Sequence, residues 1–578
     1  MATVAQHIVS ALRISGVTRV YGLPGDSLNG FTDAIRKSEA ITWEHVRHEE
    51  AAAFAATAEA ALTGRLAVCA GSCGPGNLHL INGLYDAQRN RVPVLAVAAH
   101  IPMAEIGSGY FQETHPQDLF KECSVYCELV STAAMAPRIL EMAMRAAVEE
   151  CGVAVVVIPG EVFLSRLGDD AWTMRPVVAT RSLLRPDDDS LRRAADILNA
   201  GTKVTILGGV GVAGAHDELI RLAGVLQAPV VHALRGKEHI EYDNPYDVGM
   251  TGLLGFASGY KAIKEADVLL MLGTDFPYTQ FYPDNAKLIQ VDIRGSHLGR
   301  RAPIDLGLVG TVKDTIDALL PQLVPKNDRD HLDRARDHYR RTRASLDSLG
   351  VNDRDRTPIR PEYVARTVDR LAADDAVFTF DVGTPVIWAA RYLTMNGRRR
   401  LTGSFTHGTM ACAVPHAIGA QTTYRDRQVV ALAGDGGVTM MFGELLTLVQ
   451  NNLPVKVVVF NNSSLNFVEL EMKAAGIVNF GTGLRNPDFA AVAGAVGMFG
   501  RHVDQPGDLE RALADAFAYD GPAMVDVTVA RQELTIPPAI SAEQAKGFTV
   551  YAIKTILAGR ADELLDLVTT NVARRILD

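Results

Sequence analysis

The stretch Gly434-Asp435-Gly436-Gly437 places an acid in a glycine turn after the apolar run 427–432, and Asn462 follows Asp435 by 27 residues, after a second apolar run at 455–460. An acid and an amide so spaced on two neighbouring strands could ligate one hard divalent cation. Glycine lets the backbone come close to a phosphate, and a helix beginning near Val438 would direct free N–H groups and its positive dipole end at that anion. Mg2+ takes about six oxygens, several of them from phosphate and water. Asp435, the amide oxygen of Asn462 and the carbonyl of Ser464 are the candidate protein share, with Gly434, Gly436 and Gly437 against the phosphate. Asp-Gly turns are common, so the information lies in the pairing of this turn with the distant asparagine.

Such a pair meets only if both strands end on one edge of the same sheet. Strand-length apolar runs recur between helical stretches at 66–70, 92–99, 153–159, 203–208, 229–233, 267–272, 287–292, 376–380, 427–432, 455–460 and 523–529. The alternation predicts an α/β protein of doubly wound parallel sheets with helices on both faces. Two breaks divide the series: the proline-marked polar stretch 176–190 and the charge-dense stretch 325–361, whose mixed signs suit a solvated helical linker. The expected units are 1–182, 183–340 and 341–530, followed by a helical tail over 531–578.

A chain of 578 residues with 48% hydrophobic and 21% charged residues can bury several cores. Its net charge of −10 excludes a phosphate-backbone partner as a first reading, since no basic stripe offsets the acidic balance. The six cysteines form no CxxC pair and read as buried thiols of a reducing compartment rather than as a zinc or disulfide framework. The N-terminus has amphipathic-helix spacing instead of a signal core, and no apolar run approaches the ~18 residues of a spanning helix, so the expected location is cytoplasmic.

An acidic glycine turn followed about 27 residues later by Asn-Asn resembles the thiamine diphosphate motif of the pyruvate oxidase and acetolactate synthase superfamily, and the likeness extends over nearly the whole chain. It implies a pyrimidine-binding domain, a central domain that holds FAD in some members, and a diphosphate- and Mg2+-binding domain, with each cofactor held between two subunits of a dimer or tetramer. Arg47-His48-Glu49-Glu50 resembles the segment whose first acid after the histidine activates the cofactor through its aminopyrimidine ring, which assigns Glu49. Read without the family, Glu49 is more simply an exposed acid favoured at a helix N-terminus. The resemblance also assigns Gly74 to an active-site turn, Phe111 and Gln112 to the reacting carbon, and Val382, Gly383 and Thr384 to the diphosphate. Gly408, Thr409 and Met410 are assigned to the pyrimidine, with Met410 wedged under the bent cofactor. One departure is Asn466, where relatives often carry glycine; asparagine tolerates positive φ best among the other residues.

Gly209-Val210-Gly211-Val212-Ala213-Gly214 is a literal GxGxxG but lacks the acid that a nicotinamide fold puts at the end of the next strand, so a plain turn is the competing reading. Thr251, Gly252, Leu253 and Leu254, the run Thr274, Asp275, Phe276, Pro277 and Tyr278, and Asp292 at a strand end resemble the FAD-contacting segments of the flavin-using members. A middle domain that has lost its flavin is the alternative.

Glu471 stands where acetolactate synthases carry a tryptophan and pyruvate oxidases a glutamate, and Phe467 precedes it in the same reaction pocket. In the tail, Leu564, Leu565, Leu567, Val568, Val572, Ile576 and Leu577 fall near helical spacing, which suits a helix docked on its own protein. The tail also resembles the membrane-engaging extension of the quinone-dependent branch of the family. That branch implies pyruvate as substrate, acetate and CO2 as products, FAD as relay, a membrane quinone as acceptor, and a peripheral position against phospholipid on the inner face of the cell membrane. Acetolactate synthesis, oxygen-dependent pyruvate oxidation and, from another class, a non-catalytic flavoprotein sensor are the alternatives.

Overall fold

A computed structural model describes residues 2–168, 173–180, 182–351, 356–531, 533 and 550–551. Three six-stranded sheets follow one another along the chain, and every strand pairing within them is parallel. The first contains β1 (Arg19–Gly22), β2 (Thr42–His45), β3 (Ala67–Gly71), β4 (Val94–His100), β5 (Tyr126–Leu129) and β6 (Val153–Pro159), in the order β2-β1-β3-β4-β6-β5. The second contains β7 (Val204–Gly208), β8 (Val230–His232), β9 (Asp247–Met250), β10 (Val268–Leu272), β11 (Lys287–Asp292) and β12 (Leu306–Val309), in the order β12-β11-β10-β7-β8-β9. The third contains β13 (Val377–Phe380), β14 (Arg400–Gly403), β15 (Val429–Gly434), β16 (Lys456–Asn461), β17 (Phe499–Val503) and β18 (Ala523–Thr528), in the order β14-β13-β15-β16-β18-β17. Central strands such as β4 and β6 are buried at every position because helices cover both faces.

The first and third units share one hydrophobic core. Its centre is the helix Glu49–Thr63, with Ala51, Ala52, Ala53, Phe54, Ala55 and Ala56 all buried. A helix enclosed on every side needs small residues. The clearest close approach is Gly419, where a Cβ would stand 2.1 Å from the carbonyl oxygen of Ala55. Buried polar pairs fix the same seam: His416 Nε2 lies 3.0 Å from Asp86 Oδ2, both side chains fully buried, and Arg47 N–H donates to Glu444 Oε1 at 3.1 Å.

The charge-dense stretch forms the helix Asp330–Leu349, which packs Ala335 and Tyr339 on the second core and Leu346 on the third. All six cysteines are free; Cys127 and Cys151 are only half-buried, so the expectation of uniformly buried thiols holds for the other four. The proposed helical stripe from Leu564 to Leu577 lies outside the described residues. No helix among the described residues is long and apolar enough to cross a membrane.

Candidate active site

β15 and β16 are adjacent, with Gly434 opposite Phe460, so both deliver their next residues to the same sheet edge. Asp435 Oδ2 accepts from the backbone N–H of Asn462 at 3.2 Å and from Asn486 Nδ2 at 2.8 Å, while Oδ1 accepts from the Gly436 N–H at 2.8 Å. Asn462 Oδ1 in turn accepts from the Ser464 N–H at 3.1 Å. Burial pushes the Asp435 carboxyl above its ordinary value, against the pull of those donors. A divalent cation would relieve that cost, because an opposite charge favours the ionised form. The donor set is hard oxygen throughout, as Mg2+ requires.

Two expectations about this loop are corrected. The helix starts at Asp435 itself, not near Val438, and ends at Met440, because β15 runs on to Gly434 and leaves the glycines to form the first helical turn. The left-handed residue of the metal turn is Ser463 at φ +55°, not Asn466. Asn466 instead opens the helix Asn466–Ala474, held by its Nδ2 donating to the Arg531 carbonyl at 2.5 Å.

Neighbouring segments close around the turn. Asp381, buried after β13, accepts from the Gly434 N–H at 3.1 Å and the Ala413 N–H at 2.9 Å, and burial lifts its carboxyl to about 6. A Cβ on Gly437 would stand 2.1 Å from Asp381 Oδ2, and one on Gly436 would stand 2.8 Å from Leu465 Cδ2 and 3.3 Å from Met410 Cε. Met410 is thereby brought to the glycine turn. Gly408, at φ +77°, and Thr409 both donate their N–H to Ser404 Oγ, at 2.9 and 3.1 Å. Val382 and Gly383 are half-buried and lead into the helix Thr384–Tyr392 beside β13.

A second cluster forms on the first sheet. Glu49 is the first residue of its helix yet only 4% exposed, which rules out the solvent-facing reading. Its Oε2 lies 2.8 Å from His79 Nδ1, and His79 stacks on His48 with ring centroids 4.2 Å apart. A Cβ on Gly76 would stand 3.0 Å from Glu49 Oε1, and one on Gly74 only 2.8 Å from Gln112 Cβ, so the glycine turn and Gln112 join this cluster. Gln112 holds φ +63°, and Phe111 beside it is 77% exposed. Asn82 connects the two clusters, donating to Glu50 Oε1 at 2.7 Å and to Thr409 Oγ1 at 3.3 Å. Phe467 is half-buried and Glu471 exposed on the helix after the metal turn.

The flavin-like segments of the second sheet follow β9, β10 and β11, so Thr251–Leu254, Thr274–Tyr278 and Asp292 share its C-terminal edge. Ligands of open α/β sheets bind at that edge. Thr251 is buried and its Oγ1 has no hydrogen-bond partner, Gly252 sits at φ +95°, and Leu253 and Tyr278 are exposed. Pro277 is exposed, whereas Leu254 and Asp275 are half-buried, Asp275 pairing with Arg91 at 3.0 Å and Arg300 at 3.4 Å. Thr274, Phe276 and Asp292 are buried, and Asp292 Oδ1 accepts from the Arg294 N–H at 2.9 Å. An orphaned hydroxyl and apolar side chains at one strand edge fit a flat, polar-rimmed group such as a flavin. The nearby GxGxxG is a packing turn: a Cβ on Gly209 or Gly211 would meet Gly273 backbone at 2.6 or 2.5 Å.

Asn486, His79 and Asn82 were missed from sequence. Each is distant in the chain from the motif it supports, and no local pattern marks it.

Three family models match in order: the thiamine pyrophosphate enzyme N-terminal TPP binding domain over residues 2–120, the central domain over 191–319 and the C-terminal TPP binding domain over 381–527. The chain is 35% identical to a putative thiamine pyrophosphate-containing protein, YdaP, of Bacillus subtilis, with 98% of each chain covered. It is 31% identical to a pyruvate oxidase of Lactiplantibacillus plantarum, over 90% of this chain and 88% of that one. It is also 30% identical to an acetolactate synthase isozyme 2 large subunit of Escherichia coli, over 93% of this chain and 98% of that one. The chain belongs to the thiamine pyrophosphate-dependent enzymes of the pyruvate oxidase and acetolactate synthase family.

Proposed function

We propose that the protein oxidatively decarboxylates pyruvate to acetate and CO2 and passes the electrons through FAD to a membrane quinone. The observation that carries this reading is Glu471: an exposed carboxylate on the helix that follows the metal turn, one turn beyond Phe467. A carboxylate beside the reacting carbon suits proton handling as an acyl group is released to water. It suits less well the apolar second keto acid that an acetolactate synthase must hold.

Bound thiamine diphosphate supplies the carbanion chemistry and electron sink for decarboxylation, and FAD a two-electron acceptor. Asp435, Asn462 and the Ser464 carbonyl hold Mg2+, and Gly434, Gly436 and Gly437 leave room for the diphosphate. Glu49 holds the proton shared with the pyrimidine ring, its second oxygen fixed by His79. Phe111 and Gln112 flank pyruvate. The resemblance to the family supports a dimer or tetramer of the chain, with each site completed between two copies. The tail 531–578 engages phospholipid on the inner face of the cell membrane.

Anaerobic addition of pyruvate to protein carrying thiamine diphosphate, Mg2+ and FAD tests this. The flavin absorbance bleaches, a soluble quinone analogue restores it, and acetate accumulates. An unbleached flavin with acetolactate as product overturns the reading in favour of synthesis; reoxidation by oxygen but not by quinone replaces the acceptor.

A further inference from the structure

The helix Asn466–Ala474 is turned against its own hydrophobic pattern. Val468 is 41% exposed, whereas Glu469 and Lys473 are completely buried. Glu469 Oε1 meets Lys473 Nζ at 2.7 Å, and its Oε2 accepts from Ser464 Oγ at 2.6 Å and from Arg531 Nε at 2.9 Å. Lys473 Nζ also lies 5.5 Å from the ring centroid of the buried Tyr551. Burying these charges is costly in itself, and breaking such a pair strands a charge. Conflicts of this kind between local pattern and fold concentrate at functional sites.

What the network touches shows its use. Ser464 is the third candidate metal ligand through its carbonyl, and its hydroxyl is tied to Glu469. The loop is clamped on its other side as well, with the Leu465 N–H donating to the Thr482 carbonyl and the Leu484 N–H to the Ser463 carbonyl, both at 2.8 Å. Arg531 returns to the same helix through its carbonyl, which accepts from Asn466 Nδ2. With Glu469 and Lys473 turned inward, Glu471 stands exposed on the opposite face, one turn from Phe467, which packs against the core of the third unit.

We propose that Glu469 is a positioning residue: bonded at once to Ser464, Lys473 and Arg531, it fixes the loop that presents Asn462 and Ser464 to the metal and sets the rotation of the helix that carries Phe467 and Glu471. This rests on the assignment of Mg2+ to Asp435, Asn462 and Ser464, and the test separates the two. Mg2+-dependent uptake of thiamine diphosphate is measured by calorimetry in the full-length protein without pyruvate, beside the thermal midpoint. Glu469→Gln and Arg531→Met each raise the Mg2+ half-saturation about 10-fold, the range for residues that orient metal ligands, with Arg531→Lys restoring part of it. Arg531→Met leaves the Glu469–Lys473 pair intact, so the result does not depend on how well Glu469→Gln folds. An Mg2+ half-saturation unchanged in Arg531→Met while its thermal midpoint falls overturns the proposal and leaves the network a brace only. Unchanged Mg2+ dependence in Asp435→Asn would instead overturn the metal assignment itself.

Discussion

The glycine turns at 434–437 and 209–214 follow buried parallel strands and look alike as letters, yet the fold uses them differently. At the first, the obstacles to a Cβ are an aspartate oxygen and the side chains of Leu465 and Met410, all belonging to the site. At the second, the obstacles are the backbone of Gly273 and the Thr274 side chain, so the glycines serve the packing of one loop on another. A glycine cluster therefore identifies a close approach, and only the identity of the approaching atom says whether that approach is for a ligand. Asp435 makes the difference: its buried carboxylate ties the turn to Asn462 and Asn486 and is a hard oxygen ligand that the second turn lacks.

The largest effect that would sharpen this contrast is at Glu49, across the seam from the turn. Glu49→Gln keeps the shape and removes the proton, and decarboxylation of pyruvate should fall on the order of 10²-fold or more if the residue performs the proton transfer assigned to it. A loss of less than about threefold would mean that cofactor activation lies elsewhere. The thermal midpoint should move little, which separates this variant from a folding defect.

The turns themselves are compared by paired substitutions. Gly437→Ala and Gly209→Ala each force an added Cβ into contacts of 2.1 and 2.6 Å, and overpacking of this kind costs about 1–3 kcal/mol. Their stability losses should thus be similar while their function differs: Gly437→Ala abolishes Mg2+-dependent uptake of thiamine diphosphate, and Gly209→Ala retains it. Equal loss of uptake in both would erase the distinction drawn between the turns.

How far the sequence carried this distinction depended on burial. The eleven runs read as strands all correspond to strands of the three sheets, because buried parallel strands are continuously apolar. The unread ones are β1 and the six edge strands β2, β5, β9, β12, β14 and β17. Edge strands are short and partly solvated; β17 has the half-exposed sequence Phe-Gly-Arg-His-Val, which carries no such signal. The Asp435 and Asn462 pair was legible because both ends of one motif lie on adjacent strands. Asn486 and His79 were not, since each side chain reaches its carboxylate from another segment of the chain, a relation that only the folded backbone creates. Asn466 misled for a related reason: its side chain is occupied by Arg531, and the strained position passed to Ser463.

A smaller effect tests the seam between the first and third units. Glu444 accepts from the Arg47 N–H and from Thr447 Oγ1, and burial lifts its carboxyl from 4.5 to about 7. The folded state therefore binds this proton more tightly than the unfolded chain. Its contribution to stability is full below about pH 4.5 and is lost as pH rises through about 7. The buried Asp381, lifted to about 6, acts in the same direction over a lower window. Denaturant titrations between pH 4.5 and 8 should show a decline in the parent that is shallower in Glu444→Gln. An equally steep decline in that variant would assign the pH dependence to other groups.

The smallest expected effect belongs to the central sheet, and it sharpens the comparison from the flavin side. Thr251 Oγ1 is buried without a partner, and an unsatisfied buried polar group costs about 1–3 kcal/mol. At this strand end a bound flavin would use the hydroxyl. Thr251→Val removes the oxygen and keeps the volume, so the flavin-free protein should become slightly more stable while its affinity for added FAD, followed by fluorescence quenching, weakens by about the tenfold that one hydrogen bond represents. Unchanged FAD affinity together with the gain in stability would make Thr251 an ordinary packing defect. The central edge would then rest on Asp275, Asp292 and the apolar Phe276 alone, as a scaffold whose resemblance to a flavin site lies in its strand ends and not in its chemistry.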